Sequence, residues 1–284
     1  MPSPPKTYLI LGATRGIGLE LVRQVLALNH RVIATQRSPS ASLKVLKESY
    51  PDSMRILNCD VSDETSITEF VRNVGALAEN GEFLSHEGDR KGLINTVVFN
   101  AGILTHPARI TEFSSQFLIH LQTNTLGPLS TASKLLAHPR LCFHNLVFIS
   151  SDSGSMGRWL DHEDGFAAYG MSKCALNMGV RHLAAELARK SKGGEDGMGE
   201  GEGEGGGKRE EKGVPVVMAV HPGEVRTDMA SAVELDWVVE GQMEVEESVR
   251  GVLDVVERKG WGGVEEMGRG EAGFWDWNGE VHPW

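Results

Sequence analysis

Residues 8–18 of the chain read YLILGATRGIG, an apolar run that leads directly into a glycine-rich turn. Gly12, Gly16 and Gly18 would let the backbone turn tightly and approach a ligand closely. The N–H groups and the positive dipole at the start of a following helix attract negative charge. The spacing is GxxxGxG rather than the commoner GxGxxG, and an ordinary strand-to-helix turn can carry similar letters. The stretch therefore predicts a strand, a pyrophosphate-binding turn and a helix.

Short apolar and β-branched runs alternate with amphipathic stretches along the rest of the chain. This alternation predicts a parallel sheet with helices on both faces. The predicted strands are residues 8–11, 31–35, 54–58, 96–100, 145–150 and 214–220, and the predicted helices are residues 16–28, 42–49, 64–78, 112–136 and 168–190. Six strands with interleaved helices predict an α/β fold, a single Rossmann-type doubly wound domain.

Residues 193–213 break this pattern, with ten glycines in 21 residues and almost no apolar side chains. Such a segment buries too little surface to offset the entropy lost on ordering. We therefore expect one domain spanning residues 1–284, with a disordered Gly/Glu-rich insertion at 193–213. A docking or regulatory role for the insertion is the alternative.

The composition is that of an ordinary globular protein, with 40% hydrophobic and 24% charged residues among 284. The net charge of −11 argues against nucleic-acid binding, which needs a basic face. The three cysteines show no metal-binding or disulfide spacing. The first residues do not predict a secretory signal, and no apolar run reaches the ~20 residues of a membrane helix. These features predict a cytoplasmic protein with no membrane partner.

The end of the second predicted strand indicates which dinucleotide the turn would bind. In NAD-binding folds an Asp or Glu at this position holds the adenosine ribose. Here the position is occupied by the neutral Gln36, followed by Arg37, and Arg15 of the glycine turn would lie nearby. Two guanidinium groups without a carboxylate suit a 2′-phosphate and favour NADP(H).

The ends of the third and fourth predicted strands carry further candidates. Asp60 and Val61 follow the third strand, where Asp60 could accept a hydrogen bond from an adenine amino group. Asn100 and Ala101, followed by a glycine, end the fourth strand and leave room for a ligand across the sheet edge. Open α/β sheets bind ligands at this carboxyl edge.

Tyr169 and Lys173 lie four residues apart in a predicted helix, so both side chains share one helix face. A free tyrosine has a pKa near 10, too high for proton transfer at neutral pH. A neighbouring ammonium group favours the phenolate, so Tyr169 could exchange a proton with a carbonyl or an alcohol.

Other motifs accompany this pair: NAG at 100–102, Asn124 in the long predicted helix, SSDSG at 150–154 and HPG at 221–223. In order and approximate spacing, the set resembles the short-chain dehydrogenase/reductase family over residues 6–228. HPGEVRTDM at 221–229 and FWDWNGEVHPW at 274–284 are similar to the branch of sniffer-type carbonyl reductases and C-factor-like proteins. The resemblance implies interconversion of a carbonyl and an alcohol on a small organic substrate, in a biosynthetic pathway, with hydride carried by NADP(H).

The resemblance also implies roles for individual residues. Tyr169 would be the general acid/base, and Lys173 would lower its pKa and bind the nicotinamide ribose. Ser151 would hydrogen-bond the substrate oxygen, and Asn124 would support a water-linked proton relay. The implied cofactor-binding residues are Gly12, Arg15, Gly16, Ile17, Gly18, Arg37, Asp60, Val61, Asn100, Ala101, Tyr169, Lys173, Pro222, Val225 and Thr227. No metal site is expected, because the consecutive DHED letters at 161–164 cannot easily converge on one ion.

The chain departs from the family pattern at three points. Leu11 stands where a threonine commonly precedes the first glycine, and Phe99 stands where the first Asn of NNAG is common. Ser151 and Tyr169 are 18 residues apart, whereas about 13 is usual in the family, so we expect a longer substrate loop at 155–167.

Two other functions fit the same fold. One is a catalytically weak NADP-binding regulatory or signalling protein, although the complete Asn124, Ser151, Tyr169 and Lys173 set argues against it. The other is a dehydratase or epimerase. The substrate, the direction of reaction and assembly into a homo-oligomer are left open by the sequence.

Overall fold

The computed structural model describes residues 4–81, 83–87, 90–161, 163–192, 213–233, 241–265 and 270–284. The predicted insertion at 193–213 lies outside these residues, except for its last glycine.

One sheet forms the centre of the described structure, and seven of its strands run parallel in the order β3-β2-β1-β5-β6-β7-β8. β4 pairs antiparallel with the first residues of β5. The strands are β1 (Thr7–Leu11), β2 (Arg31–Gln36), β3 (Met54–Asn58), β4 (Ser85–Glu87), β5 (Arg90–Phe99), β6 (Cys142–Ile149), β7 (Val216–His221) and β8 (Gly273–Asp276). The order reverses between β1 and β5, and in open sheets this switch point is where ligands bind.

Helices cover both faces of the sheet and explain why its strands are almost wholly apolar. They are α1 (Gly16–Ala27), α2 (Ala41–Ser49), α3 (Glu64–Asn80), α4 (Gln116–Leu121), α5 (Gly127–Ala137), α6 (Ala167–Lys192), α7 (Asp228–Ser231) and α8 (Val245–Lys259). In β1, Leu9 and Leu11 pack into the core beneath α3, α5 and α6, whereas Tyr8 and Ile10 pack into the core beneath α1, α2 and α8. This alternation follows from the two-residue period of a strand. No helix in the described ranges is long and apolar enough to cross a membrane.

The predicted α/β doubly wound fold is confirmed, but some elements differ from the sequence expectation. The predicted strand at 96–100 begins earlier, at Arg90, because its first residues pair with β4 rather than following an apolar pattern. β8 and α8 were not predicted. β8 has only four residues, which is too short for a recognisable period.

The predicted helix at 112–136 was wrong at its start and in its interior. Residues Ile110–Glu112 form a 3₁₀ turn, α4 begins at Gln116, and a π-helical turn spans Gln122–Leu126 before α5. Pro128 explains the π turn, because proline cannot donate to the carbonyl of Asn124 four residues earlier. Such turns are frequent at functional sites.

Candidate active site

The turn between β1 and α1 has a backbone that only glycine adopts easily. Gly12 has a φ of +76°, and a Cβ at this position would lie 2.6 Å from the Cα of Ala101. The Gly12 N–H donates to the Thr35 hydroxyl at 3.0 Å, which ties the turn to β2. The N-terminus of α1 is thereby held at the carboxyl edge of the sheet, where its dipole and N–H groups favour an anion.

A cavity of about 780 Å³ lies along this edge. Its size is in the range of small-molecule and cofactor sites. The predicted cofactor-binding residues on its wall are Gly12, Arg15, Gly16, Ile17, Arg37, Asp60, Val61, Asn100, Ala101, Tyr169, Lys173, Pro222 and Thr227. Gly18 packs behind the wall against Gly12, and Val225 is buried and paired with Met243.

At the end of β2, the cavity wall carries a neutral amide and a guanidinium group rather than a carboxylate. Gln36 and Arg37 both line the wall, and the Gln36 amide donates to the Asn58 side chain at 3.2 Å. The Arg37 side chain is exposed, as is that of Arg15, whose guanidinium lies 4.0 Å from the Asp228 carboxylate. Both guanidinium groups are therefore positioned where a solvent-facing anion could reach them.

Two of the predicted cofactor residues also hold the strand ends in shape. Asp60 Oδ1 accepts hydrogen bonds from the N–H and the hydroxyl of Ser62, at 2.9 and 2.6 Å. The Asn100 side chain donates to the carbonyl of Gly12 at 2.9 Å. These bonds orient the loops that follow β3 and β5 around the cavity.

Asn124 lies in the π turn and is almost fully buried. Its side-chain oxygen accepts from the N–H of Ile103 at 2.8 Å, and its nitrogen donates to the Ile103 carbonyl and the Ser172 hydroxyl, both at 2.9 Å. Asn124 therefore fixes the loop after β5 against α6, and it does so behind the cavity wall.

Lys173 is buried on α6, and its ammonium group donates to the carbonyl of Ile149 at 2.8 Å. Burial lowers the pKa of Lys173 to about 8. A Cβ built at Gly102 would lie 3.8 Å from the Lys173 nitrogen and 3.3 Å from the Asn124 side-chain oxygen. The structure therefore brings Lys173 and Asn124 close to the same backbone position, Gly102.

Tyr169 lies one turn before Lys173 on α6, with the ammonium nitrogen 5.7 Å from the centre of the phenol ring. Ser151 follows β6, at the start of the 3₁₀ turn Asp152–Gly154. That turn packs flush against α6, since a Cβ at Gly154 would lie 2.6 Å from the Lys173 Cβ. The four residues that the sequence predicted as catalytic thus meet where β5 and β6 end.

The electrostatic surroundings of Tyr169 favour its protonated form. Burial raises the pKa of Tyr169, and the carboxylates of Asp152, Glu163 and Glu224 raise it further. The polar hydroxyl of Ser151 acts in the opposite direction and lowers this pKa. The sequence argument considered only the effect of a neighbouring ammonium group, whereas burial is the largest effect in this structure.

The comparison with known families agrees with this arrangement. The family described as short chain dehydrogenase matches residues 6–191, which is well over half of the chain. The chain belongs to the short-chain dehydrogenase family. The predicted family is thereby confirmed.

Relatives of this short-chain dehydrogenase include an uncharacterized oxidoreductase of Schizosaccharomyces pombe. It is 29% identical over 274 residues, covering 90% of this chain and 92% of the relative. The NADPH-bound carbonyl reductase from chicken fatty liver has a TM-score of 0.73 at 24% identity and covers 100% of this chain and 96% of its own. A structure assigned to the carbonyl reductase Sniffer of Caenorhabditis elegans has a TM-score of 0.67 at 21% identity, covering 99% and 100%. The two solved structures share the fold of this dehydrogenase.

An acidic group beside Tyr169 escaped the sequence analysis of this short-chain dehydrogenase. The carboxylates of Asp152 and Glu224 and the Nδ1 atom of His221 lie within 4.8 Å of one another. Burial lowers the pKa of His221 and raises that of Glu224 to about 7. Glu163 accepts a hydrogen bond from the Ser153 hydroxyl at 2.6 Å. Asp152 and Glu224 lie in the SSDSG and HPGEVRTDM motifs, but the sequence analysis gave neither carboxylate a role.

The loop at 155–167 is held against a second loop that precedes α4. The Arg109 guanidinium donates to both carboxylate oxygens of Asp164, at distances of 2.6 to 2.9 Å. The N–H of Ala108 donates to the carbonyl of Gly165 at 2.7 Å. The predicted substrate loop is therefore anchored shortly before α6 begins.

Apolar side chains complete the cavity wall opposite the sheet. They come from α4 and the π turn, and those exposed to solvent are Leu118, Ile119 and Leu126. From the sequence alone, an exposed apolar side chain that lines a cavity cannot be distinguished from one on the outer surface of a helix.

Proposed function

We propose that the chain is an NADP(H)-dependent oxidoreductase that interconverts a carbonyl and an alcohol on a small organic substrate. The observation that carries the proposal is the placement of Tyr169 beside the turn that Ser151 begins, with Lys173 one helical turn away. Tyr169 and Lys173 line the same cavity as the glycine turn. A proton donor and a phosphate-binding turn thus share one cavity, and a hydroxyl partner for the substrate oxygen lies beside the donor, as a carbonyl reductase needs.

The residues present fit a nicotinamide dinucleotide. Gly12 adopts a positive φ, and Gly18 packs closely against it. Neither residue has a side chain, so the backbone at the N-terminus of α1 is accessible, as a pyrophosphate requires. Arg15 and Arg37 supply two guanidinium groups where the adenosine ribose would lie, without a carboxylate at the end of β2. These features favour NADP(H) over NAD(H), and the NADPH in the chicken carbonyl reductase supports the choice.

In the proposed mechanism, Tyr169 holds the proton and Ser151 hydrogen-bonds the substrate oxygen. The bound nicotinamide would supply or accept the hydride. The raised pKa keeps the proton on Tyr169 at neutral pH, so its donation to a carbonyl oxygen would depend on a group that stabilises the phenolate. Lys173 holds a positive charge beside the phenol below a pH of about 8 and would stabilise the phenolate left by proton transfer.

Asn124 completes the proposed proton path. Its side chain holds Ile103 and Ser172 and shares the space at Gly102 with the Lys173 ammonium. Water entering there could connect the ammonium group to solvent, so that Tyr169 regains its proton after each turnover.

The test is a screen of ketones, aldehydes and quinones for oxidation of NADPH, followed by Tyr169→Phe on the best substrate. Removing the hydroxyl should reduce kcat by about 10²–10⁴-fold, the usual contribution of general acid catalysis. NADPH affinity, measured by fluorescence titration, and the melting temperature should stay near those of the parent. Tyr50→Phe, on a half-buried tyrosine after α2, is the matched control and should retain full activity.

Two outcomes would contradict the proposal. A Tyr169→Phe enzyme as fast as the parent would remove Tyr169 from the mechanism. A parent protein that binds NADPH tightly but reduces no compound in the screen would favour the regulatory alternative.

A further inference from the structure

Residues 281–284 lie against the loop that follows the Ser151 turn. The hydroxyl of Ser155 donates to the carbonyl of Pro283 at 2.6 Å, and the N–H of Gly157 donates to the carbonyl of Trp284 at 2.6 Å. A Cβ at Gly157 would lie 3.1 Å from both Pro283 Cβ and the Trp284 carbonyl oxygen. The two backbones are therefore in close contact, 128 residues apart in the chain at Ser155 and Pro283.

The segment is itself fixed to β8. Val281 pairs with Trp275, and the N–H of His282 donates to the carbonyl of Phe274 at 2.8 Å. The buried His282 ring bonds the Asp276 carboxylate at 2.8 Å. Strand pairing and a side-chain bond thus give residues 281–284 one defined position at the edge of the sheet.

The Trp284 indole anchors the segment from a third side. Its ring lies 5.3 Å from that of Phe274, and the Arg181 guanidinium of α6 lies 5.5 Å from its centre. Aromatic and cation–π contacts of this kind stabilise the packing beyond the burial of the ring. The indole therefore ties β8 and α6 together next to the loop.

The loop in turn determines where the Ser151 hydroxyl lies. Ser155 ends the turn that Ser151 begins, and its N–H donates to the carbonyl of Asp152 at 2.8 Å. The hydroxyl of Ser155 also accepts from the N–H of Arg158 at 3.0 Å, so it joins the turn, the loop and Pro283. Within the turn, the N–H of Ser153 donates to the Ser151 oxygen at 3.3 Å.

We propose that residues 281–284 are a positioning element for the active site, acting through the turn to hold the Ser151 hydroxyl against Tyr169. The effect on turnover that we infer rests on the proposed function, whereas the structural link to the Ser151 turn does not. Rate depends steeply on such placement, since a displacement of about 1 Å can cost about 10²-fold. Trp284 would then affect turnover without contacting substrate or cofactor.

The test compares Trp284→Ala, Trp284→Phe and the control Trp261→Ala. Trp261 stacks on His144 near the start of β6, away from the catalytic edge. Trp284→Ala should reduce kcat about tenfold with NADPH affinity unchanged, because Ser151 is not among the residues assigned to the cofactor. Trp284→Phe keeps the ring packing and should restore most of the rate, and Trp261→Ala should match the parent.

A double-mutant cycle with Ser151→Ala separates positioning from general loss of structure. If Trp284 acts through Ser151, adding Trp284→Ala to Ser151→Ala should reduce kcat little further. Fully additive losses would overturn the proposal. So would a Trp284→Ala enzyme with the kcat of the parent while Tyr169→Phe remains slow, a result that leaves the proposed function intact.

Hydrogen exchange decides the positioning claim even if the parent reduces no compound. In Trp284→Ala, amides in 151–158 should exchange faster than in the parent, whereas those of α1 should not change. Unchanged exchange at 151–158 would refute the link between residues 281–284 and the Ser151 turn, whatever the activity.

Discussion

Lys173 is a buried ammonium group, and its burial should reduce the stability of the cofactor-free protein. Only 5% of the residue is exposed, and its pKa falls from the ordinary 10.5 to about 8. At ~1.36 kcal/mol per pKa unit, this fall corresponds to about 3 kcal/mol against the charged form. The folded protein binds this proton less tightly than the unfolded chain. The penalty is therefore full below a pH of about 8 and fades as the pH rises toward 10.5.

Lys173→Met removes the charge and keeps most of the side-chain volume. It also leaves the Ile149 carbonyl without its donor, which costs about 1–3 kcal/mol, but this loss does not depend on pH. The change with pH in the stability difference between variant and parent therefore reports only the effect of the Lys173 charge. Between pH ~7 and pH ~10, the stability of the variant relative to the parent should fall by about 2–3 kcal/mol. For a chain of this size, that corresponds to about 5–10 °C in the difference between melting temperatures.

The assay is urea or thermal unfolding of both proteins without cofactor at neutral and alkaline pH. Effects of other titrating groups cancel in the difference between the two proteins. Lys190→Met, at an exposed position on the same helix, is the control and should differ from the parent by the same amount at both pH values. If the stability difference between Lys173→Met and the parent is also the same at both pH values, the argument that burial lowers the pKa of Lys173 is refuted. Turnover should be strongly reduced in the same variant.

Two further variants test the cofactor end and the acidic end of the site. Arg37→Asp should weaken NADPH binding by about 1.5–3 kcal/mol, or ten- to over a hundredfold, and NADH binding much less; equal losses in fluorescence titrations would contradict the 2′-phosphate assignment. Glu224→Gln removes a negative charge that raises the pKa of Tyr169, so this pKa should fall and the alkaline loss of carbonyl reduction should begin at lower pH. An unshifted pH profile of kcat/KM would show that Glu224 does not act on Tyr169.

The parts of the site that could be predicted from sequence are those fixed by local rules. A glycine turn after a strand, and polar residues at successive strand ends, must meet because parallel strands end at the same edge. The spacing of Tyr169 and Lys173 likewise places both on one face of α6. Most of the residues predicted to bind the cofactor line one cavity for this reason, and the two exceptions, Gly18 and Val225, pack behind its wall. Cofactor binding by these residues stays a prediction.

The rest depends on contacts between distant segments. Asp152 and Glu224 lie in the SSDSG and HPGEVRTDM motifs, but neither motif predicts that the two approach each other, which they do because β6 and β7 are neighbours in the sheet. The contact of Ser155 with Pro283 depends on β8, which was too short to predict. The π turn at Asn124 could have been suspected from Pro128, since a proline inside a helix must disturb the preceding turn.

The charges of the site are divided between its two ends, and this division bears on how a cofactor would be oriented. The overall charge of −11 repels a polyanion at long range, so binding must depend on local cations. Arg15 and Arg37 lie on the cavity wall at the end where β1 and β2 finish, whereas Asp152, Glu163 and Glu224 surround Tyr169 at the other end. The division is not complete, because the Lys173 ammonium lies 5.7 Å from the Tyr169 ring and the Asp228 carboxylate lies 4.0 Å from the Arg15 guanidinium. At the Tyr169 end, burial and the three carboxylates together keep the proton on the phenol, while Lys173 would offset the repulsion of an approaching anion.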